Sequence, residues 1–142
     1  MDPAPITFTT TDPISVISLD IERGRMRARL RIREGSRYVD PVIAKTVVKR
    51  FPSIDRHTCK NDEGPYFGSV MDHTSTAHLL EHLIIDAQLR DGSTPPDRIF
   101  TGWTQWVDEE NGIADVEVSF ADDLVAARAL GQSLTYLNDL LQ

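Results

Sequence analysis

Residues 14–33 alternate between apolar and polar side chains along their whole length, and this alternation constrains the fold more than any other stretch. Successive side chains of a strand point to opposite faces, so a slip of one residue would carry every apolar group to the wrong side. Ile17, Leu19 and Ile21 share one face of a first strand, and Met26, Ala28, Leu30 and Ile32 share one face of a second. A turn at Arg23-Gly24 sets Ile21 opposite Met26, Leu19 opposite Ala28 and Ile17 opposite Leu30. The same register sets Glu22 against Arg25 and Asp20 against Arg27. Both faces agree on one pairing, so an antiparallel hairpin with one covered side is expected.

The uncovered face of the second strand carries Arg25, Arg27, Arg29, Arg31 and Arg33. A row of guanidinium groups can hold a polyanion or an acidic backbone. We expect instead a solvated face, neutralised in part by Asp20, Glu22 and acids elsewhere, as surface charge usually is.

The remaining elements follow from caps and periodicity. Asp40-Pro41 provides an N-cap and a first helical position, and Pro52 closes that helix, whose apolar stripe is Ile43, Val47, Val48 and Phe51. A long connection, 53–73, follows, with a short helical turn expected near 66–71; loops of that length are uncommon in compact domains unless they have a function. A second helix covers 74–90. Residues 98–107 form an aromatic-rich strand, Asn111-Gly112 a hairpin turn, and Ala114, Val116, Val118 and Phe120 one face of the returning strand. Asp115, Glu117 and Ser119 take its other face. Trp103 and Trp106 could stack on a ligand, but such residues are more often core or interface anchors. The chain closes with a helix over 122–141 whose expected buried stripe is Leu124, Ala127, Leu130, Leu134, Leu137 and Leu141. The order β-β-α-α-β-β-α predicts an α+β, two-layer sandwich: an antiparallel sheet of two hairpins covered by three helices. Residues 1–13, with three prolines, form a flexible lead-in, and 14–142 a single domain.

The 142 residues are 40% hydrophobic and 26% charged, enough for one domain with its own core. They contain no apolar run of membrane-spanning length, so no membrane association is expected. The start of the chain lacks the basic and apolar regions of a secretory signal. A lone cysteine rules out an internal disulfide and suits a cytoplasmic location. A net charge of −7 argues against nucleic acid as a partner.

Chemistry concentrates on the helix over 74–90. Leu79, Leu80, Leu83, Ile84 and Ala87 gather on one side, while His78, Glu81 and His82 fall on the opposite side at i, i+3 and i+4. Asp86 lies one turn further on. Ile85 and Leu89 lie there too, so this face should be at least partly covered. Half of the protein's four histidines lie in this one motif. The spacing His-x-x-Glu-His is the inverse of the His-Glu-x-x-His zinc signature. Two imidazoles one turn apart supply neutral nitrogens to Zn²⁺, and the Glu stays off the metal, ready to take a proton from water that the ion activates. A tetrahedral catalytic zinc needs a third protein ligand, and Cys59 or His57, both in the long connection, can supply it. Cys59 is equally well read as a small buried apolar residue.

Phe51-Pro52-Ser53-Ile54, His57-Thr58-Cys59, Tyr66-Phe67 and His78-Leu79-Leu80-Glu81-His82 with Asp86 and Gln88 together resemble the N-terminal domain of cyanophycin synthetase. Gly112-Ile113 and Val116-Glu117-Val118-Ser119-Phe120, running into the acidic start of the last helix, are similar to it as well. The likeness extends from about residue 15 to the end. It implies a domain that binds a polymer of aspartate bearing arginine side chains. In some members it also implies a zinc peptidase-like site that cuts the polymer into primers. By position, His78 and His82 would be metal ligands and Glu81 the general base, while His57 and Cys59 match a His-x-Cys motif. The chain departs from the family in three places. It holds no ATP-dependent ligase domain, Asp86 stands where the family has Glu, and Thr101-Gly102-Trp103-Thr104-Gln105-Trp106 replaces a basic strand. Insulinase-like peptidases share His-x-x-Glu-His but are far larger and need a distant Glu ligand.

The expected function is therefore a zinc-dependent amide or peptide hydrolase-like domain with Zn²⁺ as cofactor. Its expected metal set is His78, His82 and Cys59, with Glu81 catalytic and His57 and Asp86 as additional or supporting groups. Its expected partner is a peptide or another small amide-containing substrate. The alternative is a non-catalytic peptide- or polymer-binding or homo-oligomerisation module. A purely structural zinc with four protein ligands is a third reading.

Overall fold

The computed structural model describes residues 12–142. Most of the expected lead-in therefore lies outside the described residues. Two long hairpins make up the sheet: β1 (Ile14–Glu22) with β2 (Arg25–Ile32), and β5 (Gly102–Asp108) with β6 (Ile113–Ser119). Between them come helix α1 (Pro41–Arg50), a small hairpin of β3 (Thr58–Asn61) and β4 (Gly64–Tyr66), and helix α2 (Thr76–Arg90). Helix α3 (Asp123–Leu141) closes the chain. The four long strands form one antiparallel sheet in the order β1-β2-β6-β5, so the expected α+β architecture is present.

The two hairpins join through β2 and β6, and both faces of that seam are matched. Met26 faces Val118, Ala28 faces Val116 and Leu30 faces Ala114, all buried. On the opposite face Arg27 lies across from Glu117 and Arg29 across from Asp115. Arg29 grips Asp115 with two hydrogen bonds of 2.9 and 3.1 Å, while Arg25 and Arg27 both reach Glu117. The arginine row is thus neutralised chiefly from β6. Its long stems cover the acids, which are buried, while the guanidinium heads stay half exposed.

Strand β1 departs from the expected register. Ile21–Met26, Leu19–Ala28, Glu22–Arg25 and Asp20–Arg27 pair as expected, but a bulge between Val16 and Ser18 places Val16, not Ile17, opposite Leu30. The inserted residue restores alternation further along and buries Ile14 opposite Ile32. Because β1 is an edge strand, Ile17, Leu19 and Ile21 are only half covered rather than core. The turn itself holds Arg23 and Gly24 both at positive φ, +49° and +77°, the geometry that matches the twist of a two-residue hairpin. The second hairpin turns through 109–112 instead. There Gly112 alone is at positive φ, and Asn111 is tied by its side chain to Asp108 at 2.7 Å.

Helix α1 begins at the expected cap, and α2 and α3 begin one or two residues inside their expected starts, after caps of their own. Asp40 accepts from the amide of Ile43, Ser75 from that of His78, and Asp122 from those of Leu124 and Val125. Helix α2 lies between the β5–β6 end of the sheet and α3. The apolar stripe of α3 keeps the expected Leu130 and Leu137, with Leu134 and Leu141 packed on the core, but is rotated at its start. Ala126, Ala129, Leu130, Ser133 and Leu137 face inward, whereas Leu124 is 72% exposed and Ala127 is exposed. Small residues on an inward face let a neighbouring helix approach closely, so that face is not marked by leucines alone. The connection over 53–73 is also not irregular. Two 3-10 turns, Ile54–Arg56 and Phe67–Ser69, flank the β3–β4 hairpin. Among the described residues no helix is long and apolar enough to cross a membrane.

The rotated face of α3 yields a direct test. Leu137→Ala should cost about 2–5 kcal/mol in urea unfolding, because a fully buried leucine is removed from a packed core. Leu124→Ala should stay within about 0.5 kcal/mol of the parent.

Candidate metal centre

Helix α2 carries most of the site, and it has almost no solvent face. Glu81, His82, Asp86 and Gln88 are as buried as Leu79, Leu80, Leu83 and Ile84. Such polar groups require partners inside the protein. They find them in the connection before α2 and in the far end of the sheet.

His78 and His82 stand one turn apart with ring centroids 5.0 Å from each other. Phe67, from the turn that follows β4, stacks on His82 at 3.9 Å and meets the edge of His78 at 4.9 Å. It is fully buried and covers one side of the imidazole pair. Strand β3 brings Cys59, whose Sγ lies 3.5 Å from Nε2 of His78. Ligand atoms of Cys59, His78 and His82 all lie within 4.8 Å of one another, so this group could hold a metal ion. Nδ1 of His78 is engaged by the Thr74 hydroxyl at 2.9 Å, which leaves Nε2 for the cluster.

His57 does not belong to that group of three. Its Nδ1 is 3.1 Å from Nδ1 of His82 and its Nε2 is 3.2 Å from Oδ1 of Asp86. Asp86 is gripped on its other oxygen by Arg90 at 2.7 Å. Burial would raise Asp86, but hydrogen bonds from His57 and Arg90 outweigh it and hold the carboxyl below its usual range.

Glu81 sits beside the cluster without entering it. Its Oε1 accepts from the Thr104 hydroxyl at 2.7 Å, and its Oε2 lies 3.6 Å from Nε2 of His82. Burial pushes Glu81 up to about 7, with the Thr104 hydrogen bond chief among the effects opposing the rise. Burial, reinforced by the neighbouring His78 and His57, pushes His82 down to about 2, and burial lowers His78 as well. Both imidazoles are therefore held neutral, the form that offers a lone pair to a metal. Burial also raises the Cys59 thiol; Asn61 opposes the shift and Glu81 adds to it.

The cluster opens into a broad cleft with the β3–β4 hairpin on one side and β5 on the other, rimmed by Tyr38 and Trp106. Of the six site residues expected from sequence, His57, Cys59, His78, Glu81 and His82 line this cleft, and Asp86 lies behind His57. His73, in the same connection, is instead exposed and held between Asp72 and Glu63. Trp103 donates its indole N–H to Glu117 at 2.6 Å, beneath Arg27, and Trp106 leans on Tyr38. Both tryptophans are half buried, within reach of the expected anchoring role. Sequence reasoning missed Thr104 and Gly102. No local pattern marks Thr104, because its partner lies 23 residues away. An isolated glycine at a strand end does hint at close backbone approach, and Gly102 provides it. A Cβ there would come 2.8 Å from the Glu117 carbonyl and 3.0 Å from Cγ of Glu81.

Comparison with known proteins adds one match. A family model for the cyanophycin synthase-like N-terminal domain covers residues 32–142, most of the chain. No curated protein matches. No solved structure matches.

The crowding at Gly102 makes it a test of how tightly Glu81 is packed. Gly102→Ala should cost about 1–3 kcal/mol in urea unfolding, since the new methyl must displace a strand carbonyl or the Glu81 side chain. Gly92→Ala, where an added Cβ meets nothing, should change stability by less than about 0.5 kcal/mol.

Proposed function

Because this chain belongs to the cyanophycin synthase-like N-terminal domain family, we propose that its α2 cluster is the metal site of a zinc-dependent amide or peptide hydrolase. One observation carries the reading: a thiol and two neutral imidazoles converge within 4.8 Å, beside a buried carboxylate that stays outside the group. Zinc favours this mixture of sulfur and nitrogen donors, and three protein ligands leave one position open for chemistry. The Cys59–His78 separation of 3.5 Å already matches the roughly 3.3–3.7 Å between ligands that tetrahedral Zn–N and Zn–S bond lengths imply. Bound there, zinc would act as a Lewis acid toward a substrate carbonyl and lower the pKa of water.

The protein's own groups would do the rest. Thr104 fixes Oε1 of Glu81, so Oε2 is the oxygen turned toward His82 and the cluster. From that position Glu81 takes a proton from the attacking water and returns it to the leaving amine. Phe67 and the β3–β4 hairpin shield the imidazoles, while the cleft beside β5 gives an extended amide access to them. A peptide or small amide is the substrate class that this arrangement suits.

Protein purified without a histidine tag should contain about one zinc per chain by elemental analysis. His78→Ala and Cys59→Ala should lose it. Glu81→Gln should keep the metal while peptide or amide hydrolysis falls by about 10²–10⁴-fold. Metal-free protein whose stability does not change in His78→Ala would favour the other reading, a non-catalytic binding or oligomerisation module.

A further inference from the structure

Three largely buried side chains lie in series behind the cluster, and with His57 neutral the hydrogen bonds between them allow one order of donors. Asp86 is paired with Arg90 at 2.7 Å and is an anion, so the hydrogen in its 3.2 Å contact with His57 comes from Nε2 of His57. A neutral imidazole has a single N–H, so Nδ1 of His57 is then a lone pair. The 3.1 Å contact between the two Nδ1 atoms needs one hydrogen, which His82 must supply. With its hydrogen on Nδ1, His82 presents a lone pair at Nε2. The side chains of His57, His82 and Asp86 are nearly excluded from solvent, so no water competes for these contacts.

We infer that His57 is not a metal ligand but a positioning residue, which with Asp86 locks His82 in the Nδ1–H tautomer and aims its Nε2 at Cys59 and His78. His82 is the imidazole that needs such a device. His78 has only the Thr74 hydroxyl at Nδ1, a group that can donate or accept and so imposes no tautomer. A histidine ligand usually donates its second N–H to a carboxylate or a carbonyl. Here a second imidazole is interposed, itself polarised by a carboxylate, and the chain reaches the surface at the half-exposed Arg90.

The purpose of this chain rests on the metal-site reading above, but its hydrogen-bond order does not. Long-range ¹H–¹⁵N spectra of the metal-free protein should show His82 as the Nδ1–H tautomer and His57 as the Nε2–H tautomer. His82 protonated on Nε2 instead would overturn the inference. Zinc affinity, measured by competition with a chromophoric chelator, should fall about 10–100-fold in His57→Phe while stoichiometry stays near one per chain. His57→Gln, which keeps an acceptor and a donor on one side chain, should recover part of that loss. A purely space-filling role predicts the reverse order, with Phe better than Gln. Complete loss of the bound zinc in His57→Phe, as in His78→Ala, would make His57 a ligand and refute the proposal. If His57→Phe does not fold, the tautomers of the parent protein still decide. If the parent binds no zinc, the hydrolase reading fails, and the same spectra test the hydrogen-bond order alone.

Discussion

A helix buried on every side governs this structure. Leu79, Leu80, Leu83 and Ile84 make α2 the centre of the core, yet the same helix places Glu81, His82, Asp86 and Gln88 out of reach of water. Each such group left without a partner would cost about 1–3 kcal/mol. The elements around α2 are therefore tied to polar positions as well as to packing. Strand β5 must bring Thr104 to Glu81, the β3–β4 hairpin must bring His57 to Asp86, and the end of β6 must offer the Ser119 carbonyl to Gln88. Even so, Oε1 of Gln88 has no protein partner. Hydrophobic burial draws these elements together, and the polar contacts select one arrangement of them.

Much of the fold was legible because its signals are local or repeat with a short period. The alternation on β2 and β6 sets both their faces, whereas the register that pairs Arg27 and Arg29 with Glu117 and Asp115 is seen only in the folded sheet. The cap Asp40 marks the start of α1 through a bond three residues on, a signal that Ser75 and Asp122 carry as well. What escaped depends on tertiary packing. The bulge at Ile17 resolves a conflict between the turn at one end of β1 and the burial of Ile14 at the other, and neither end alone reveals it. The inward face of α3 includes Ala126, Ala129 and Ser133 beside the expected Leu130 and Leu137, so counting leucines finds part of the face and misses its small residues. The β3–β4 hairpin is too short and too polar for periodicity to detect. Its fold depends on Asn61, whose side chain accepts from the amides of Glu63 and Gly64.

The site divides in the same way. His78, Glu81 and His82 were legible as a group because helical spacing alone brings them together. Thr104 and Gly102 were not, since their relation to Glu81 depends on how far β5 slides past α2. His57 and Cys59 fall between these cases. Their residue types suggested a metal, but their separate roles depend on which atom of α2 each one meets.

Strand and helix geometry accounts for that division of roles. Two residues along an extended chain advance about 6.6 Å, and four along an α-helix advance about 6 Å. His57 has extended backbone, with φ −58° and ψ 136°, and leads directly into β3. Residues 57 and 59 therefore point to one side with nearly the pitch that separates His82 from His78. Running against α2, the strand sets His57 beside His82 and Cys59 beside His78, at 3.1 and 3.5 Å. One extended step thus supplies two different services to two equivalent imidazoles. Cys59 meets Nε2 of His78, whereas His57 meets Nδ1 of His82 and also reaches Asp86, one turn further along the helix. Shifting β3 by a single residue would point both side chains away from α2. The His-x-Cys spacing and the His-x-x-Glu-His spacing are in this sense one feature, written once at strand pitch and once at helix pitch.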